Sequence, residues 1–228
     1  MKLYPDYSPL ELDILSAVGS CTMTSSERVV GLVRAVEYLV ANAIPGAIVE
    51  CGVWKGGSSM AAALALQAFG DTSRELFLFD TFQGMTTPTE SDVDLNGDAA
   101  RPAYEAALGQ NGQCDWCSAV LDEVRANMSS TGYPTEQVHF VPGPVERTIP
   151  THAPEAIALL RLDTDWYEST RHELEHLYPR LAHHGALIID DYGHWKGARK
   201  AVDDYFTTLS PRPLLTRMDY TGRLAIKL

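Results

Sequence analysis

Three aspartates stand where two mostly apolar runs of the sequence end. Asp163 directly follows one run, and Asp190-Asp191 directly follow another. If these runs are neighbouring parallel strands, their carboxyl ends lie at one edge of a sheet and the three carboxylates converge there. Converging carboxylates repel one another unless a cation neutralises them, and Mg²⁺ prefers oxygen ligands. The spacing therefore indicates a divalent metal site, while helix N-caps and solvated loop acids are the alternative interpretation.

A second candidate site is the turn Glu50-Cys51-Gly52-Val53-Trp54-Lys55-Gly56-Gly57-Ser58, which follows an earlier apolar run. Its glycines allow a tight strand-to-helix turn, and the first N–H groups of the helix stay free for a ligand. Asp80 ends the next apolar run, where a carboxylate can accept both hydroxyls of a ribose. The G-x-x-x-G-G spacing differs from the G-x-G-x-x-G of dinucleotide loops, which disfavours an NAD-binding, sugar-modifying enzyme. Turn and acid together indicate nucleoside binding.

Two other sequence features give weaker indications of a functional role. His194 follows the Asp190-Asp191 pair closely and is a candidate base, although a histidine in a loop is more often a bystander. Cys114 and Cys117 have the C-x-x-C spacing of zinc and thiol redox sites. A structural zinc site needs four ligands, and no second ligand pair follows. Two ordinary reduced thiols are therefore the favoured interpretation.

The charge and composition of the chain indicate which class of molecule it binds. The chain has 228 residues, of which 18 are Lys or Arg and 30 are Asp or Glu, for a net charge of −12. This charge disfavours nucleic acid and anionic membranes and favours a small-molecule partner. No run reaches the roughly 20 apolar residues of a membrane span, and the N-terminus lacks the order of a signal peptide. We expect a cytoplasmic protein with one domain over residues 1–228.

Apolar runs and helical periodicity alternate along the chain. Strands are predicted at 47–53, 76–80, 138–141, 157–163 and 186–191, and helices at 24–45, 59–66, 120–128, 168–181 and 197–208. The segments 214–218 and 223–227 are predicted to close the domain as a hairpin. Five β/α alternations and this β-pair predict an α/β fold with a doubly wound, mostly parallel sheet. Residues 84–117, rich in turn-forming residues, are predicted to be a lid-like insertion.

Several motifs in this order resemble the macrocin O-methyltransferases. They are Glu50 to Ser58 (ECGVWKGGS), Leu78 to Met85 (LFDTFQGM), Leu160 to Thr170 (LRLDTDWYEST) and Ile189 to Tyr192 (IDDY). The resemblance implies a class I methyltransferase with a Rossmann-like, seven-stranded sheet that ends in an antiparallel hairpin. It also implies S-adenosylmethionine, Mg²⁺, a sugar or glycosylated natural product as hydroxyl acceptor, and a homo-oligomer.

The resemblance further implies roles for single residues. The cofactor-binding set is Met23, Thr24, Glu50, Gly52, Ser58, Asp80, Thr81, Gly143, Val145 and Asp163. In that set, Glu50 and Gly52 lie beside the methionine part of the cofactor and Asp80 binds its ribose. The metal triad is Asp163, Asp190 and Asp191, which favours Asp163 over the nearby Asp165. Asp163 is also the implied general base, with His194 as the second catalytic candidate.

Two further functions stay open. The same metal chemistry would serve a catechol-like phenol, which ionises more easily than a sugar hydroxyl and needs less help from a base. A chain that keeps the cofactor site but has lost the chemistry would be a binding module.

Overall fold

The computed structural model describes residues 1–110 and 112–228. Its helices and strands, in chain order, are α1 Pro9–Val18, α2 Ser26–Ala41, β1 Ala47–Cys51, α3 Gly57–Phe69, β2 Leu76–Asp80, α4 Arg101–Ala106, α5 Leu121–Ser130, β3 Val138–Pro142, α6 Val145–Thr148, β4 Ile157–Leu162, α7 Tyr167–Leu177, β5 Leu181–Ile189, α8 Lys196–Phe206, β6 Thr216–Arg217 and β7 Arg223–Ile226. They form a seven-stranded sheet in the order β3-β2-β1-β4-β5-β7-β6, in which β7 runs antiparallel to both neighbours. The predicted α/β sheet with a C-terminal antiparallel hairpin is confirmed.

Helices cover both faces of the sheet. One hydrophobic core lies between the sheet and α1, α2, α3 and α5, and a second lies between the sheet and α6, α7 and α8. All five residues of the central strand β1 are buried. Burial on both faces explains why these strands read as continuous apolar runs rather than as alternating patterns. Among the described helices, none has the length and apolar character needed to cross a membrane.

The order of the strands creates a crevice at the centre of the sheet. The chain adds β2 and β3 on one side of β1 and then crosses to β4 on the other side. Doubly wound sheets bind ligands at such a switch point, at the carboxyl ends of the strands. Gly52 lets the two central strand ends meet there, since it has φ +82° and any Cβ would collide with the carbonyl of Asp163. The predicted site residues therefore leave the sheet side by side.

Helix α1 was not predicted from the sequence. A capping box starts it, in which the Ser8 hydroxyl accepts from the Glu11 N–H at 3.2 Å and the Glu11 carboxylate accepts from the Ser8 N–H at 2.6 Å. Pro9 occupies its first turn, where a missing N–H costs nothing. The capping signal was present in the sequence, but a ten-residue helix offers too few apolar repeats for periodicity to reveal it.

The boundary between α7 and β5 differs from the prediction. The predicted helix 168–181 ends as α7 at Leu177, and β5 begins at Leu181 rather than at 186. Strand β5 begins with a half-exposed stretch that contains His183 and His184, so this part is not an apolar run. His184 has φ +65° and its N–H donates to the carbonyl of Lys227 at 2.8 Å. Pairing with the far end of the chain, which no local pattern shows, extends this strand.

The predicted insertion, residues 84–117, contains α4 and is anchored to the sheet domain. The fully buried Asp92 accepts from the Thr89 N–H at 2.7 Å, from the Thr89 hydroxyl at 2.8 Å and from the N–H of Tyr167 at 2.8 Å. The indole N–H of Trp166 donates to the carbonyl of Thr86 at 3.0 Å. The insertion is thus tied to the first turn of α7.

We predict that Asp92→Ala loosens this insertion. The change leaves the N–H groups of Thr89 and Tyr167 and the Thr89 hydroxyl without this charged acceptor, which should lower the free energy of unfolding by about 1–3 kcal/mol. Urea unfolding and limited proteolysis with subtilisin measure the effect. Asp98→Ala, at an exposed aspartate of the same insertion, is the control and should change neither. Equal proteolysis rates in the two variants would contradict the anchoring role.

Candidate active site

A cavity of about 400 Å³ opens at the carboxyl ends of the central strands. Its wall contains every residue that the sequence predicted for the site, namely Met23, Thr24, Glu50, Gly52, Ser58, Asp80, Thr81, Gly143, Val145, Asp163, Asp190, Asp191 and His194. Strands, loops and the segment before α2 each contribute part of this wall. The structure therefore brings the predicted residues together, and their individual roles stay predictions.

Arg161 lies beneath the floor of the cavity and binds acids from three neighbouring strands. Its side chain is 4% exposed, and its Nη1 donates to Glu50 at 2.7 Å and to Asp163 at 2.7 Å, while its Nη2 donates to Asp190 at 2.6 Å. Burial alone would lower the pKa of this guanidinium, but the surrounding carboxylates outweigh it and raise the pKa well above its usual range. Arg161 is therefore a permanent internal cation.

Arg28, near the start of α2, is a second internal cation. Its Nη1 forms an ion pair with Asp190, and its Nε donates to Asp219 at 3.0 Å. Asp219 lies in the turn of the β6–β7 hairpin and also accepts from the Ser25 hydroxyl at 2.7 Å and from the N–H of Thr221 at 2.9 Å. As a result, the two carboxylate oxygens of Asp190 are both engaged by arginines, one by each.

The metal-ligand candidates are close enough to share one ion. Ligand oxygens of Asp163, Asp190 and Asp191 lie within 4.8 Å of one another. Burial raises the pKa of Asp163 well above its usual range, Arg161 partly offsets this, and the other two aspartates raise it further. Burial and the neighbouring carboxylates likewise raise the pKa of Asp191. The cluster is therefore short of positive charge, as a cation site in its metal-free state would be.

Asp165 belongs to the same cluster but faces different partners. Its backbone adopts φ +68°, and the side chains of Asp191 and Trp195 act to lower the pKa of its carboxyl group. Burial, followed by repulsion from Asp163, raises the pKa of Asp165 to about 7. Asp165 therefore holds its proton more tightly than an ordinary aspartate.

The other half of the cavity has the features expected for a nucleoside. Asp80 accepts from the N–H groups of Val53 at 2.6 Å and Trp54 at 3.1 Å, so its carboxylate holds the glycine-rich turn in place. The Gly143 N–H donates to the Asp80 carbonyl at 2.9 Å, which joins the next strand end to the same wall. The Thr24 hydroxyl is buried and has no hydrogen-bond partner among the described residues. This unpaired hydroxyl, on the cavity wall, points to a missing polar ligand.

Glu50 is more deeply engaged than the sequence suggested. One of its carboxylate oxygens accepts from Arg161 and the other from the Ser59 hydroxyl. Burial raises the pKa of this carboxyl group, and Arg161 opposes the rise. Glu50 lines the cavity, but its oxygens are used in holding Arg161 and the first turn of α3.

Aromatic side chains form the outer wall. Trp116, carried by the insertion, packs against Trp166 and Trp195, with ring centroids 5.8 Å and 6.1 Å away. His194 packs against Trp195 at 4.9 Å, and its Nδ1 lies 3.3 Å from the hydroxyl of Tyr220. The predicted catalytic histidine thus lies beside a cluster of tryptophan side chains.

The cysteines of the C-x-x-C motif are both free, and Cys117 lines the cavity. Burial and then the carboxylates of Asp165 and Asp163 raise the pKa of Cys117 to about 12. A thiol with such a pKa is neither a good nucleophile nor a good metal ligand. Within residues 1–110 and 112–228, the group with metal-ligand geometry is the aspartate triad, which contains neither cysteine.

Sequence reasoning missed several residues of this site. Arg161 had a signal, because a charged residue inside an apolar strand requires buried partners. Arg28 and Asp219 gave no such signal in the sequence, because each resembles an ordinary surface charge and the two are 191 residues apart in the chain. Trp116 and Tyr220 belong to loops whose position depends on the folded structure.

We predict that Arg161→Met destabilises the protein strongly. Methionine fills the space of the side-chain stem but leaves the buried Glu50 and Asp190 and the partly exposed Asp163 without this cation, which should cost about 3–5 kcal/mol of unfolding free energy. Urea denaturation at neutral pH measures this. The matched control is Arg171→Met, which removes an exposed ion pair with Glu175 and should cost less than about 0.5 kcal/mol. A similarly small loss for Arg161→Met would refute its central role.

Comparison with known proteins identifies the family. A sequence model of the macrocin-O-methyltransferase (TylF) family matches residues 16–224. An 8-demethyl-8-(2,3-dimethoxy-alpha-L-rhamnosyl)-tetracenomycin-C 4'-O-methyltransferase from Streptomyces olivaceus is 36% identical over 201 residues, 88% of this chain and 73% of that protein. A mycinamicin III 3''-O-methyltransferase from Micromonospora griseorubida is 34% identical over 184 residues, 81% of this chain and 69% of that protein.

The similarity to this family is also seen in the three-dimensional structure. The structure of the O-methyltransferase NovP matches with a TM-score of 0.81 at 28% identity and covers 96% of this chain and 97% of that chain. The resemblance inferred from the motifs is confirmed, and the alternative of an NAD-binding enzyme is excluded. The chain belongs to the macrocin O-methyltransferase family and is an O-methyltransferase that uses S-adenosylmethionine.

Proposed function

We propose that this enzyme methylates a hydroxyl of a sugar or glycosylated natural product and requires Mg²⁺. The observation that carries the proposal is the cavity itself, which joins a nucleoside-type wall to a cluster of carboxylates short of positive charge. The acceptor class is supported by the relatives, which are named for a rhamnosyl tetracenomycin, mycinamicin III and demethyldecarbamoylnovobiocin.

The residues on the cofactor side fit S-adenosylmethionine, which when bound supplies an electrophilic methyl group. Thr24 offers an unpaired buried hydroxyl, suited to the charged end of the methionine part. Asp80 accepts from three backbone N–H groups, those of Val53, Trp54 and Phe82, which leaves about one of the four lone-pair positions of its carboxylate for a ribose hydroxyl. Gly143 and Val145 would flank the adenine ring, and Met23, Ser58 and Thr81 would complete this wall.

The aspartate triad fits Mg²⁺, which when bound supplies positive charge and makes a hydroxyl nearby more acidic. The donor set is made of carboxylate oxygens, and this hard cation prefers them to nitrogen or sulfur. In this proposal Asp163, Asp190 and Asp191 hold the ion. Their contribution is also positional, because much of the rate gain in such a transfer comes from orienting the acceptor oxygen toward the methyl group.

Two groups are placed to take the proton of the acceptor hydroxyl. Asp163 lies at the centre of the cluster, and its Oδ2 accepts from Arg161 at 2.7 Å, which fixes the carboxylate in position. His194 stands at the rim, where the Tyr220 hydroxyl lies within hydrogen-bond distance of its Nδ1 and orients the ring. We assign the proton transfer to Asp163 first, because it lies on the metal side of the cavity.

We predict that Asp163→Asn lowers kcat at least about 100-fold, since the variant loses both a metal ligand and the proton acceptor. Binding of S-adenosylhomocysteine, measured by calorimetry, should stay within about threefold of wild type. Asp122→Asn, at an exposed aspartate of α5, is the control and should leave both unchanged.

Removal of the metal is a separate test. EDTA should abolish turnover of the wild type, and addition of Mg²⁺ should restore it. Full activity in EDTA would contradict the assignment of a metal site.

A catechol-like phenol is the alternative acceptor, and the observation that favours it is that the indole rings of Trp116 and Trp195 line the cavity, where they can contact an aromatic ring. Parallel assays with glycosides that carry vicinal hydroxyls and with catechols separate the two. We expect kcat/KM to be higher for the glycosides, because a relative that is 36% identical is named for a rhamnosyl acceptor. Turnover of catechols alone would contradict the sugar assignment. The homo-oligomer and the cytoplasmic location remain predictions.

A further inference from the structure

Asp190 is unlike its two partners in the proposed metal site. One of its oxygens accepts from Arg161 at 2.6 Å, and the other is paired with Arg28. The carboxylate of Asp191, in contrast, has no arginine within ion-pair distance among the described residues. A divalent cation on Asp190 would stand next to a guanidinium on the same carboxylate, and two such charges repel each other. The repulsion between the ion and the two guanidinium groups is relieved if one arginine leaves Asp190 when the ion binds.

Arg28 is the arginine that can give way. Arg161 projects from the central strand β4, is 4% exposed and is held by Glu50 and Asp163 besides Asp190. Arg28 stands on the cavity wall, is 11% exposed, and its second partner, Asp219, binds a different atom, Nε. Its Nη1 end can leave Asp190 while Nε stays on Asp219, so the guanidinium keeps a partner in both positions.

Asp219 is built to retain the displaced group. Its carboxylate is fixed by hydrogen bonds from the Ser25 hydroxyl at 2.7 Å and from the backbone N–H groups of Thr221 at 2.9 Å and Gly222 at 2.6 Å. A carboxylate held at that many points moves little when its neighbour rotates. The movement is therefore confined to the side chain of Arg28.

We propose that Arg28 is an internal counter-ion that pairs with Asp190 in the metal-free protein, and that a divalent cation displaces it from Asp190 so that Asp219 alone holds it. The inference rests on the proposed function, because it takes the aspartate triad as the metal site. Its consequence is that the affinity for Mg²⁺ is set by competition with a side chain of the protein. Arg28 thus neutralises Asp190 when no ion is present and weakens the binding of the ion.

Calorimetric titration with MgCl₂, without cofactor or acceptor, tests the proposal. Arg28→Met removes the competitor, and the Kd for Mg²⁺ should fall about tenfold or more. Arg34→Met is the control, because Arg34 lies on the same helix, is 49% exposed and pairs with Asp6 and Glu11. Its Kd should equal that of the wild type. An unchanged or weaker affinity in Arg28→Met would overturn the proposal.

The Arg28→Lys variant distinguishes the effect of the guanidinium contact with Asp190 from the effect of the positive charge. Lysine keeps the charge but cannot bridge Asp190 and Asp219 at once with a planar fork, so it should compete less and lower the Kd by a smaller factor. A lysine variant equal to the wild type would show an effect of net charge alone and overturn displacement. If Arg28→Met does not fold, as judged by circular dichroism, the lysine variant carries the test.

The outcomes also distinguish this inference from the function on which it rests. If the wild type shows no Mg²⁺ binding, binding by Arg28→Met supports the competition, and absence of binding in both variants refutes it. Methyl transfer is measured separately. An active enzyme whose Arg28 variants bind Mg²⁺ like the wild type refutes the inference alone. A protein that behaves as predicted in the titrations but transfers no methyl group refutes the function alone.

Discussion

The guanidinium of Arg161 is the interaction on which the site depends. It joins carboxylates from β1, β4 and β5 at the point where the strand order reverses. Burying these charges is expensive, and the contacts among them repay the cost only while all partners are in place. The arrangement fixes Asp163 and Asp190 within the reach of one ion, and it leaves the cluster with more negative charge than Arg161 and Arg28 neutralise.

Around this centre, distant parts of the chain complete the cavity. Thr24 comes from the segment before α2, Trp116 from the insertion and Tyr220 from the terminal hairpin. The insertion is not a free lid, because the buried carboxylate of Asp92 binds the first turn of α7. A site assembled in this way can change its acceptor through its loops while the sheet keeps the cofactor and the carboxylates in position.

Much of the site could be predicted because its acids are adjacent in sequence to apolar strands. The carboxyl ends of parallel strands meet at one edge, so Asp80, Asp163 and Asp190 could be placed together without coordinates. The pairing of Arg28 with Asp190 could not, since 162 residues separate them and neither has a local signature of contact. The short helix α1 and the early start of β5 were missed for a related reason: packing and pairing with remote segments stabilise them.

The central claim is that the carboxylates at the ends of β4 and β5 form a cation site next to the cofactor. The most direct test is an anomalous difference map from crystals grown with S-adenosylhomocysteine and Mn²⁺ as a substitute for Mg²⁺. We predict a peak about 2.2 Å from oxygens of Asp163, Asp190 and Asp191. A map with the cofactor product bound and no peak at this triad, or with its peak elsewhere, would contradict the account.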